Sequence, residues 1–375
     1  MGKKKILLVS NGFYPEISPR SFRATELAKE FYRQGHDVTV ISKYRDHDYS
    51  AFLNEFPITF KMLNKPVLPR IPEFKTKPFS FLFRILSRLL AVYLEYPGIE
   101  EMFLLKKRLR HESGYDLMIS IAVPYTVHWG VAKARSEKHK IADTWVADCG
   151  DPYMGDILDS IKKPFYFKYL EKSFSRKADF ISIPVESAKP AYYSEFHHKI
   201  MIIPQGLDFD LSITKSDNKK RNDFPEFAYA GSFLKGIRDP IPLVKFLLTT
   251  DIPFKFYVFT NQQELFYEFK EVLNGKLIVS GYIPREELLR VLSRMDFLIN
   301  LDNDTTLNIP SKLIDYIVVN RPVLNIDKNF DTEDLLAFLK GDYIGRMSLP
   351  KPEQYHIKNV TRQFLGLLDN IKVER

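Results

Sequence analysis

The residues best suited to chemistry lie around position 312, where a lysine opens a predicted helix. Pro310-Ser311-Lys312 follows an apolar run at 297–300 that predicts a strand. Serine is a favourable N-cap and proline is tolerated in the first turn, so the helix is expected to begin at Pro310 or Ser311. A lysine there opposes the helix dipole unless an anion lies in front of it. Lys312 and the helix amides near Ser311 are therefore a candidate phosphate site; the alternative is an exposed lysine without a partner.

Asp315 lies three residues after Lys312, on the neighbouring face of the same predicted helix. Its carboxylate could accept two hydrogen bonds from neighbouring hydroxyls, as a ribose offers. The alternative is an intrahelical pair with Lys312, which contributes little to stability. The helix is thus a candidate for binding a phosphate together with a sugar.

The elements that must position these residues repeat a strand–helix–strand pattern. An apolar run at 6–10 fits a strand buried on both faces, a helical spacing follows as far as Gly35, and 38–42 is the next strand. Such βαβ units build parallel sheets covered by helices. Further strands are predicted at 117–122, 145–147, 180–184, 199–204, 227–230, 254–260, 277–280, 297–300 and 322–326.

This alternation predicts an α/β protein with two doubly wound Rossmann-like domains facing a cleft. The predicted domains are 1–200 and 201–352, with 353–375 a C-terminal helix that crosses back to the N-terminal domain. A polar stretch at 216–223 is interpreted as a surface loop or linker. In doubly wound sheets, ligands bind beyond the carboxyl ends of the strands.

The composition excludes several classes of protein. The chain has 375 residues, more than the roughly 250–300 that one hydrophobic core accommodates. A single cysteine excludes a disulfide framework and a multi-cysteine zinc or iron–sulfur site. The net charge of +8 indicates an anionic partner.

That positive charge is concentrated in one segment. Residues 61–110 hold 11 Lys and Arg against 4 Asp and Glu. Within the segment, 79–90 is apolar around most of a helix except for a narrow polar stripe with Arg84 and Arg88. An apolar helix with flanking cations is typical of a protein that lies on an anionic membrane surface; the alternative is a core helix with a basic rim. A nucleic-acid partner is not predicted, because no motif supports one.

The sequence also predicts where the protein is found. The apolar run at 6–9 is too short for the core of a signal peptide. The uncharged stretch 117–132 contains Pro124 and is shorter than the ~20 residues of a membrane span. We therefore expect a cytoplasmic protein without a transmembrane helix, located peripherally at the inner face of the membrane.

Four stretches, taken in order, resemble the retaining GT-B glycosyltransferases of the GT4 type (glycosyl transferases group 1). Each stretch is short, but their order and spacing together are fairly specific, and the resemblance runs the length of the chain. The stretches are Tyr14-Pro15 with 33–38, Ala178-Asp179 with 203–208, 229–232 with Lys235-Gly236, and 310–316 with 321–324. The resemblance implies a nucleotide-sugar donor, held mainly by the second domain, and transfer with retention.

The resemblance also implies roles for individual residues of the second domain. The leaving diphosphate needs positive charge as its bond to the sugar breaks. The residues expected to bind it are Lys312, Ser311, Lys235 and Arg238. Arg238 is included because Ser232 stands where the family has an arginine. The residues expected at the ribose and sugar are Asp315, Asn308, Gly231 and Ser232. Asn308 is included because Leu307 stands where the family has its first acid.

In the first domain, the segment 148–153 resembles the part of the family that lines the cleft near the reacting sugar. Asp151 matches the acid of that segment, so we expect it to be catalytic and to contact the acceptor hydroxyl or the donor sugar; the alternative is a turn or helix-capping aspartate. Asp148, Tyr153 and Arg20 are candidate cleft and acceptor residues. Arg23 is a further candidate for an anionic ligand, and Cys149 is interpreted as a packing residue.

The sequence therefore predicts a glycosyltransferase that moves a sugar from a nucleotide sugar to a glycan or lipid-linked glycan in polysaccharide or glycolipid biosynthesis. No cofactor and no metal are expected, and Asp302-Asn303-Asp304 is interpreted as a solvated loop. One alternative is a non-catalytic GT-B partner or regulatory protein, favoured by Leu307 and Ser232. A second alternative is a nucleotide-sugar epimerase.

Overall fold

The computed structural model describes residues 2–69, 77–155, 162–209, 222–234, 238–302, 311–327 and 331–373. The chain divides into two compact units. Unit 1 comprises Met1–Asp208 and Ile357–Arg375, and unit 2 comprises Phe209–His356. The boundaries predicted from the sequence were those after residues 200 and 352.

Unit 1 contains a seven-stranded sheet in which every neighbouring pair is parallel. The strands are β1 (Lys5–Ser10), β2 (Asp37–Ser42), β3 (Thr59–Met62), β4 (Tyr115–Ala122), β5 (Ala142–Cys149), β6 (Phe180–Ile183) and β7 (Ile200–Ile202). Their order is β3-β2-β1-β4-β5-β6-β7. The central strands are buried on both faces, as their continuous apolar runs predict.

Unit 2 contains a five-stranded sheet, again parallel throughout. Its strands are β8 (Glu226–Ala230), β9 (Lys255–Phe259), β10 (Leu277–Ser280), β11 (Phe297–Leu301) and β12 (Val323–Ile326). Their order is β10-β9-β8-β11-β12. Stacked phenylalanines, including Phe227 between Phe256 and Phe297, fill the core of this unit.

The connections between strands are mostly helical. The α-helices are α1 (Pro19–Arg33), α2 (Ser50–Glu55), α3 (Lys77–Leu94), α4 (Ile99–Leu109), α5 (Thr126–Ala134), α6 (Phe167–Lys177), α7 (Ile241–Leu247), α8 (Tyr267–Val272), α9 (Arg285–Leu292), α10 (Ser311–Val319), α11 (Thr332–Leu339) and α12 (Ile357–Val373). Short 3₁₀ helices span Glu186–Ala191, Ser194–Lys199, Gln263–Phe266 and Pro352–Tyr355. Within the described residues, no helix is both long and apolar enough to cross a membrane.

Helix α12 belongs to unit 1, although 148 residues of unit 2 precede it in the chain. Its apolar side chains, among them Val360 and Phe364, pack in the same core as β1 and α1. The Gln34 side-chain amide at the end of α1 donates to the Thr361 hydroxyl at 2.8 Å. The last helix therefore completes one face of the first sheet.

The predicted fold class, two doubly wound Rossmann-like domains, is confirmed in its α/β architecture and its two parallel sheets. Strand β3 was not predicted, because it is a short edge strand whose residues are all at least partly exposed and carry no buried alternation. The predicted linker at 216–223 lies outside the described residues except for its last two positions.

Candidate functional site

Each sheet has one point at which the direction of its winding reverses. In unit 1 the chain runs from β1 outward to β3 and then returns to β4 beside β1; in unit 2 it runs from β8 to β10 and then returns to β11 beside β8. The loops after β1 and β4, and those after β8 and β11, therefore leave their sheet in opposite directions. A crevice opens at such a point, and this is where doubly wound sheets bind ligands.

The loop after β8 carries a sharply turned backbone at the reversal point of unit 2. Gly231 has a φ of +148°, a conformation that favours glycine because it has no Cβ. The Gln262 side chain holds the next part of the loop, since its Oε1 accepts from the Phe233 amide at 2.7 Å. The loop then returns in a short antiparallel bridge between Leu234 and Arg238. The bridge places Arg238 beside Leu234, near the carboxyl end of β8.

One nitrogen of the Arg238 guanidinium is buried without a hydrogen-bond partner. The residue is half-buried, and its Nε atom is buried without a hydrogen-bond partner. Among the described residues it makes no ion pair. A buried N–H without a partner costs about 1–3 kcal/mol, so such a group favours an anionic ligand that accepts from it.

Helix α10 (Ser311–Val319) follows β11, and the residues directly before it lie outside the described part of the chain. Tyr316 ties the helix to both central strands. Its buried hydroxyl donates to the Ile299 carbonyl at 3.1 Å and accepts from the Ala230 amide at 3.0 Å. Helix α10 is therefore anchored next to the end of β8, where the Gly231 loop begins. The side chains of Ser311 and Lys312 lie outside the described residues.

Asp315, on the next turn of α10, has a partner that the sequence did not indicate. Its Oδ1 atom accepts from Arg285 Nε at 2.8 Å and from Arg285 Nη2 at 2.5 Å. Burial raises the pKa of the Asp315 carboxyl, and Arg285 only partly offsets this. The other oxygen, Oδ2, accepts no hydrogen bond from a described residue. Asp315 can therefore still accept a ligand hydroxyl, in an orientation that Arg285 sets.

Asp151 follows β5 at the corresponding edge of unit 1. Its backbone carbonyl accepts from the Tyr125 hydroxyl at 2.6 Å, and its side chain is 42% exposed. Arg20 Nη2 lies 3.5 Å from Asp151 Oδ2. A Cβ on Gly150 would lie 1.5 Å from an Arg20 nitrogen, so the glycine leaves room for this guanidinium. The structure therefore brings together two of the predicted residues, Arg20 and Asp151, as an accessible carboxylate beside a cation.

Asp148, a predicted cleft and acceptor residue, makes its described hydrogen bonds within unit 1. The residue is buried, and its carboxylate accepts from Arg23 Nε at 3.0 Å, from Arg23 Nη2 at 2.8 Å and from the Ser182 hydroxyl at 2.7 Å. Burial alone would raise the pKa of Asp148, but Arg23 and Ser182 hold it below its usual value. Arg23 also donates to the carbonyls of Ile203 and Pro204. This pair joins α1 to β5 and β6, and the prediction that Asp148 or Arg23 contacts a ligand stays a prediction.

Tyr153, also predicted as a cleft and acceptor residue, is 6% exposed, and its hydroxyl donates to Glu95 Oε1 at 2.6 Å. Its ring packs against Trp129 and Phe167 in the core of unit 1. Tyr153 therefore anchors the loop that carries Asp151, and its contact with an acceptor stays a prediction.

Sequence reasoning missed a buried acid at the reversal point of unit 1. Glu101 of α4 accepts from Asn11 Nδ2 at 2.9 Å on both oxygens and from the Thr126 hydroxyl at 3.0 Å. Burial raises the pKa of Glu101, and these hydrogen bonds only partly offset the effect. The available signal was a glutamate beside Met102 on the buried side of an otherwise amphipathic helix. The network positions the loop after β1 and the start of α5.

Cys149 remains a packing residue, although a histidine lies beside it. The Cys149 sulfur is 3.4 Å from His128 Nε2, and both residues are fully buried. Burial lowers the pKa of His128 to about 3 and raises the pKa of the Cys149 thiol well above its usual value. Both groups are therefore neutral, and the thiol is not activated as a nucleophile.

No protein-family model matches this sequence, and no curated protein is significantly similar to it. Solved structures of similar fold cover nearly the whole chain. A glycosyltransferase from Rickettsia africae is 13% identical with a TM-score of 0.63, and 99% of each chain is covered. HepE from Anabaena, solved with UDP, is 12% identical with a TM-score of 0.58, covering 98% of this chain and all of that one. UDP-GlcNAc 2-epimerase from Neisseria meningitidis, bound to UDP-GlcNAc, is 11% identical with a TM-score of 0.59 and the same coverage.

The chain has the GT-B fold. Several of the residues that the sequence singled out for this fold lie outside the described residues, namely Lys235, Leu307 and Asn308. Ser232 is exposed, and its carbonyl accepts from the Tyr229 hydroxyl at 2.9 Å. In the described parts of this GT-B chain, no group of three or more histidine, cysteine or acidic residues is arranged to hold a metal ion.

The stability of unit 1 is expected to depend on pH through Glu171 of α6. Burial raises the pKa of this carboxyl to about 7, and the amides of Met154 and Tyr153 and the hydroxyl of Tyr193 offset only part of that effect. The folded protein therefore binds more protons than the unfolded chain between the usual pKa of 4.5 and about 7. The contribution of Glu171 to the unfolding free energy should therefore be fully present below pH 4.5. It should fall by about 2–3 kcal/mol as the pH rises through 7.

Urea unfolding at pH 5 and pH 7.5 measures this difference in unfolding free energy. The variant Glu171→Gln should show no such difference between the two pH values. Glu137→Gln is the matched control, because Glu137 is exposed. If Glu171→Gln leaves the difference between the two pH values unchanged, another group is responsible.

Proposed function

We propose that this protein is a glycosyltransferase that takes a sugar from a nucleotide-sugar donor and transfers it to an acceptor hydroxyl. The observation that carries the proposal is the buried Nε atom of Arg238, which has no hydrogen-bond partner, at the reversal point of unit 2. This group lies in the loop after β8, beside the strand that leads into α10. A cation with a buried, unpaired donor next to a helix N-terminus suits a diphosphate.

The donor would be held by unit 2. Arg238, the Gly231 backbone and the first amides of α10 would bind the diphosphate, and Asp315 Oδ2 would accept from the ribose. The predicted contributions of Lys312, Ser311, Lys235, Asn308 and Ser232 complete this arrangement. Positive charge and helix amides stabilise the departing diphosphate most in the transition state, when the sugar–phosphate bond breaks.

The acceptor would be oriented by unit 1. The Asp151 carboxylate is accessible, and Arg20 Nη2 lies 3.5 Å from its Oδ2 atom. Such a carboxylate can accept a hydrogen bond from an acceptor hydroxyl and take its proton as the new glycosidic bond forms. Asp151 is the residue to which we assign this catalytic role.

The solved structures support this proposal through their fold. HepE was solved with UDP, and the Neisseria epimerase was solved with UDP-GlcNAc, so GT-B structures covering this whole chain hold uridine nucleotides. The resemblance in sequence motifs supports the finer parts of the proposal. These are transfer with retention, no requirement for a metal, and a glycan or lipid-linked glycan acceptor used in polysaccharide or glycolipid biosynthesis in the cytoplasm.

Thermal unfolding against a panel of nucleoside diphosphates and nucleotide sugars tests the donor site. A ligand at 100 times its Kd should stabilise the protein by about 2.7 kcal/mol, which is a readily measured shift. We expect one nucleotide to raise Tm and Lys312→Ala to abolish most of that rise. Lys245→Ala on α7, an exposed lysine of the same unit, is the control and should leave the shift intact.

The outcomes separate the proposal from its alternatives. No shift with any nucleotide would contradict the proposal. A shift without transfer or hydrolysis would favour a non-catalytic GT-B protein, which the replacement of the family acid by Leu307 also favours. Conversion of the nucleotide sugar to its epimer, with no acceptor added, would favour an epimerase.

A further inference from the structure

Helix α3 presents an apolar surface to solvent. Phe81, Ile85, Leu89 and Tyr93 recur at every fourth position, so they form one ridge along the helix. All four are between 43% and 65% exposed. None of the described side chains of α3 is buried. A helix of about 27 Å, from 18 residues at 1.5 Å each, thus carries its apolar ridge uncovered by the described residues.

A second ridge of α3 is cationic. Arg84 and Arg88 are exposed and four residues apart, on the row next to the apolar ridge. The helix contains no acidic residue, and Lys106 and Lys107 follow in α4. Long arginine side chains can extend from an apolar face to the level of lipid phosphates. The charged side chains on α3 itself are therefore all of one sign.

The apolar surface continues beyond α3. The Tyr166 hydroxyl donates to the Tyr93 carbonyl, and the neighbouring Phe165 and Tyr169 are 70% and 60% exposed. Lys168 lies over the Tyr169 ring at 5.1 Å. Aromatic rings with adjacent lysines are the side chains that settle at the boundary between lipid tails and headgroups. Residues 165–169 therefore combine exposed apolar rings with a cation, as α3 does.

We propose that the surface formed by α3 and residues 165–169 binds an anionic lipid bilayer, with α3 lying in the plane of the interface. The apolar ridge would enter the acyl boundary, and the arginines would contact lipid phosphates. Charge complementarity favours this occupant, because the charged side chains of α3 are all cations and a bilayer with anionic lipids supplies a uniform negative surface.

The geometry links this surface to the loop that carries Asp151. Glu95 directly follows α3; its carboxylate accepts from the Tyr153 hydroxyl at 2.6 Å and lies 3.6 Å from Lys163 Nζ. Tyr153 is two residues from Asp151. Docking would therefore hold this loop next to the membrane, where a lipid-borne acceptor is presented; this last step rests on the proposed function.

Vesicle flotation with the full-length protein tests the proposal. We expect binding to phosphatidylcholine vesicles that contain phosphatidylglycerol, and at least tenfold weaker binding to phosphatidylcholine alone. The double variant Phe81→Ser/Leu89→Ser should lower binding at least tenfold. Arg84→Gln should lower it about fivefold on anionic vesicles, since each cation near the surface contributes about 1 kcal/mol.

The control is Val272→Ser/Ile344→Ser, which removes two exposed apolar side chains from unit 2 and should bind like the wild type. Far-UV circular dichroism and Tm confirm that each variant is folded.

Equal binding by wild type and the α3 double variant overturns the proposal, as does a failure of the wild type to bind either vesicle. A dimer in light scattering that the α3 double variant abolishes would assign the surface to a second copy and overturn it as well. Nucleotide binding is measured in a separate thermal-unfolding experiment, so a failure to bind vesicles does not contradict the proposed donor site.

Discussion

Replacing Arg23 with alanine is expected to lower the unfolding free energy of unit 1 by about 3–5 kcal/mol. The Arg23 and Asp148 side chains are 3% and 4% exposed, and Arg23 donates to Asp148 twice. Removing Arg23 leaves a buried carboxylate that only the Ser182 hydroxyl contacts among these partners. It also leaves the carbonyls of Ile203 and Pro204 without their donor.

Denaturant unfolding followed by tryptophan fluorescence measures this effect in unit 1, because both tryptophans of the chain, Trp129 and Trp145, are buried there. Arg33→Ala is the matched control on the same helix. Arg33 pairs with Asp208 at 2.6 Å, but both side chains are at least 40% exposed, so the loss should be about 0–1 kcal/mol.

The double variant Arg23→Met/Asp148→Leu separates the cost of an unpaired charge from the value of the pair. Because it leaves no buried charge, it should recover most of the stability lost in Arg23→Ala. A loss of less than 1 kcal/mol for Arg23→Ala would contradict the assignment of this pair as a structural element.

Replacing Asp151 with asparagine is expected to lower the rate of sugar transfer by about 10²- to 10⁴-fold. Asparagine keeps the size of the side chain but cannot accept the proton of an acceptor hydroxyl. The side chain is 42% exposed and the loop is held by Tyr125 and Tyr153, so the fold should persist. Initial rates at saturating nucleotide sugar measure the effect, and the nucleotide-induced Tm shift should be unchanged because unit 2 is untouched.

The matched control is Asp143→Asn. Asp143 is exposed and lies near the other end of the same strand, β5, away from the carboxyl edge of the sheet. It should transfer sugar at the wild-type rate. An Asp151→Asn protein with full activity would remove Asp151 from the mechanism while leaving the donor site in unit 2 standing.

The two aspartates of one short segment show how far sequence reasoning reaches. Asp148 and Asp151 both follow apolar residues near the end of β5, and both were predicted to lie at the ligand site. Asp148 lies within the strand, and its partners come from α1, 125 positions earlier, and from β6. Asp151 lies beyond the strand and remains accessible. Asp148 is a structural acid because Arg23 of α1 packs against it, whereas Asp151 has no such buried partner among the described residues and is the candidate catalytic acid.

Arg285 and Glu101 are residues at the candidate sites that the sequence analysis did not single out. Neither was singled out, because each acts through a residue far away in sequence: Arg285 through Asp315, 30 positions later, and Glu101 through Asn11, 90 positions earlier. Arg285 is partly exposed, and its sequence position is that of an ordinary first-turn residue of a surface helix. Such pairings have no periodic signature.

The sequence by itself determined the α/β class, the strands β10 and β11 almost to the residue, the presence of a helix over α10 and the unusual composition of α3. These are local properties, because strand and helix periodicity depends on residues within a few positions of one another. Only the tertiary structure decided the strand order, the two reversal points, the burial of Asp148 and Tyr153 and the Nε atom of Arg238 that has no hydrogen-bond partner. Burial and hydrogen-bond partnership are set by elements that are distant in the chain, so a single sequence does not contain them in readable form.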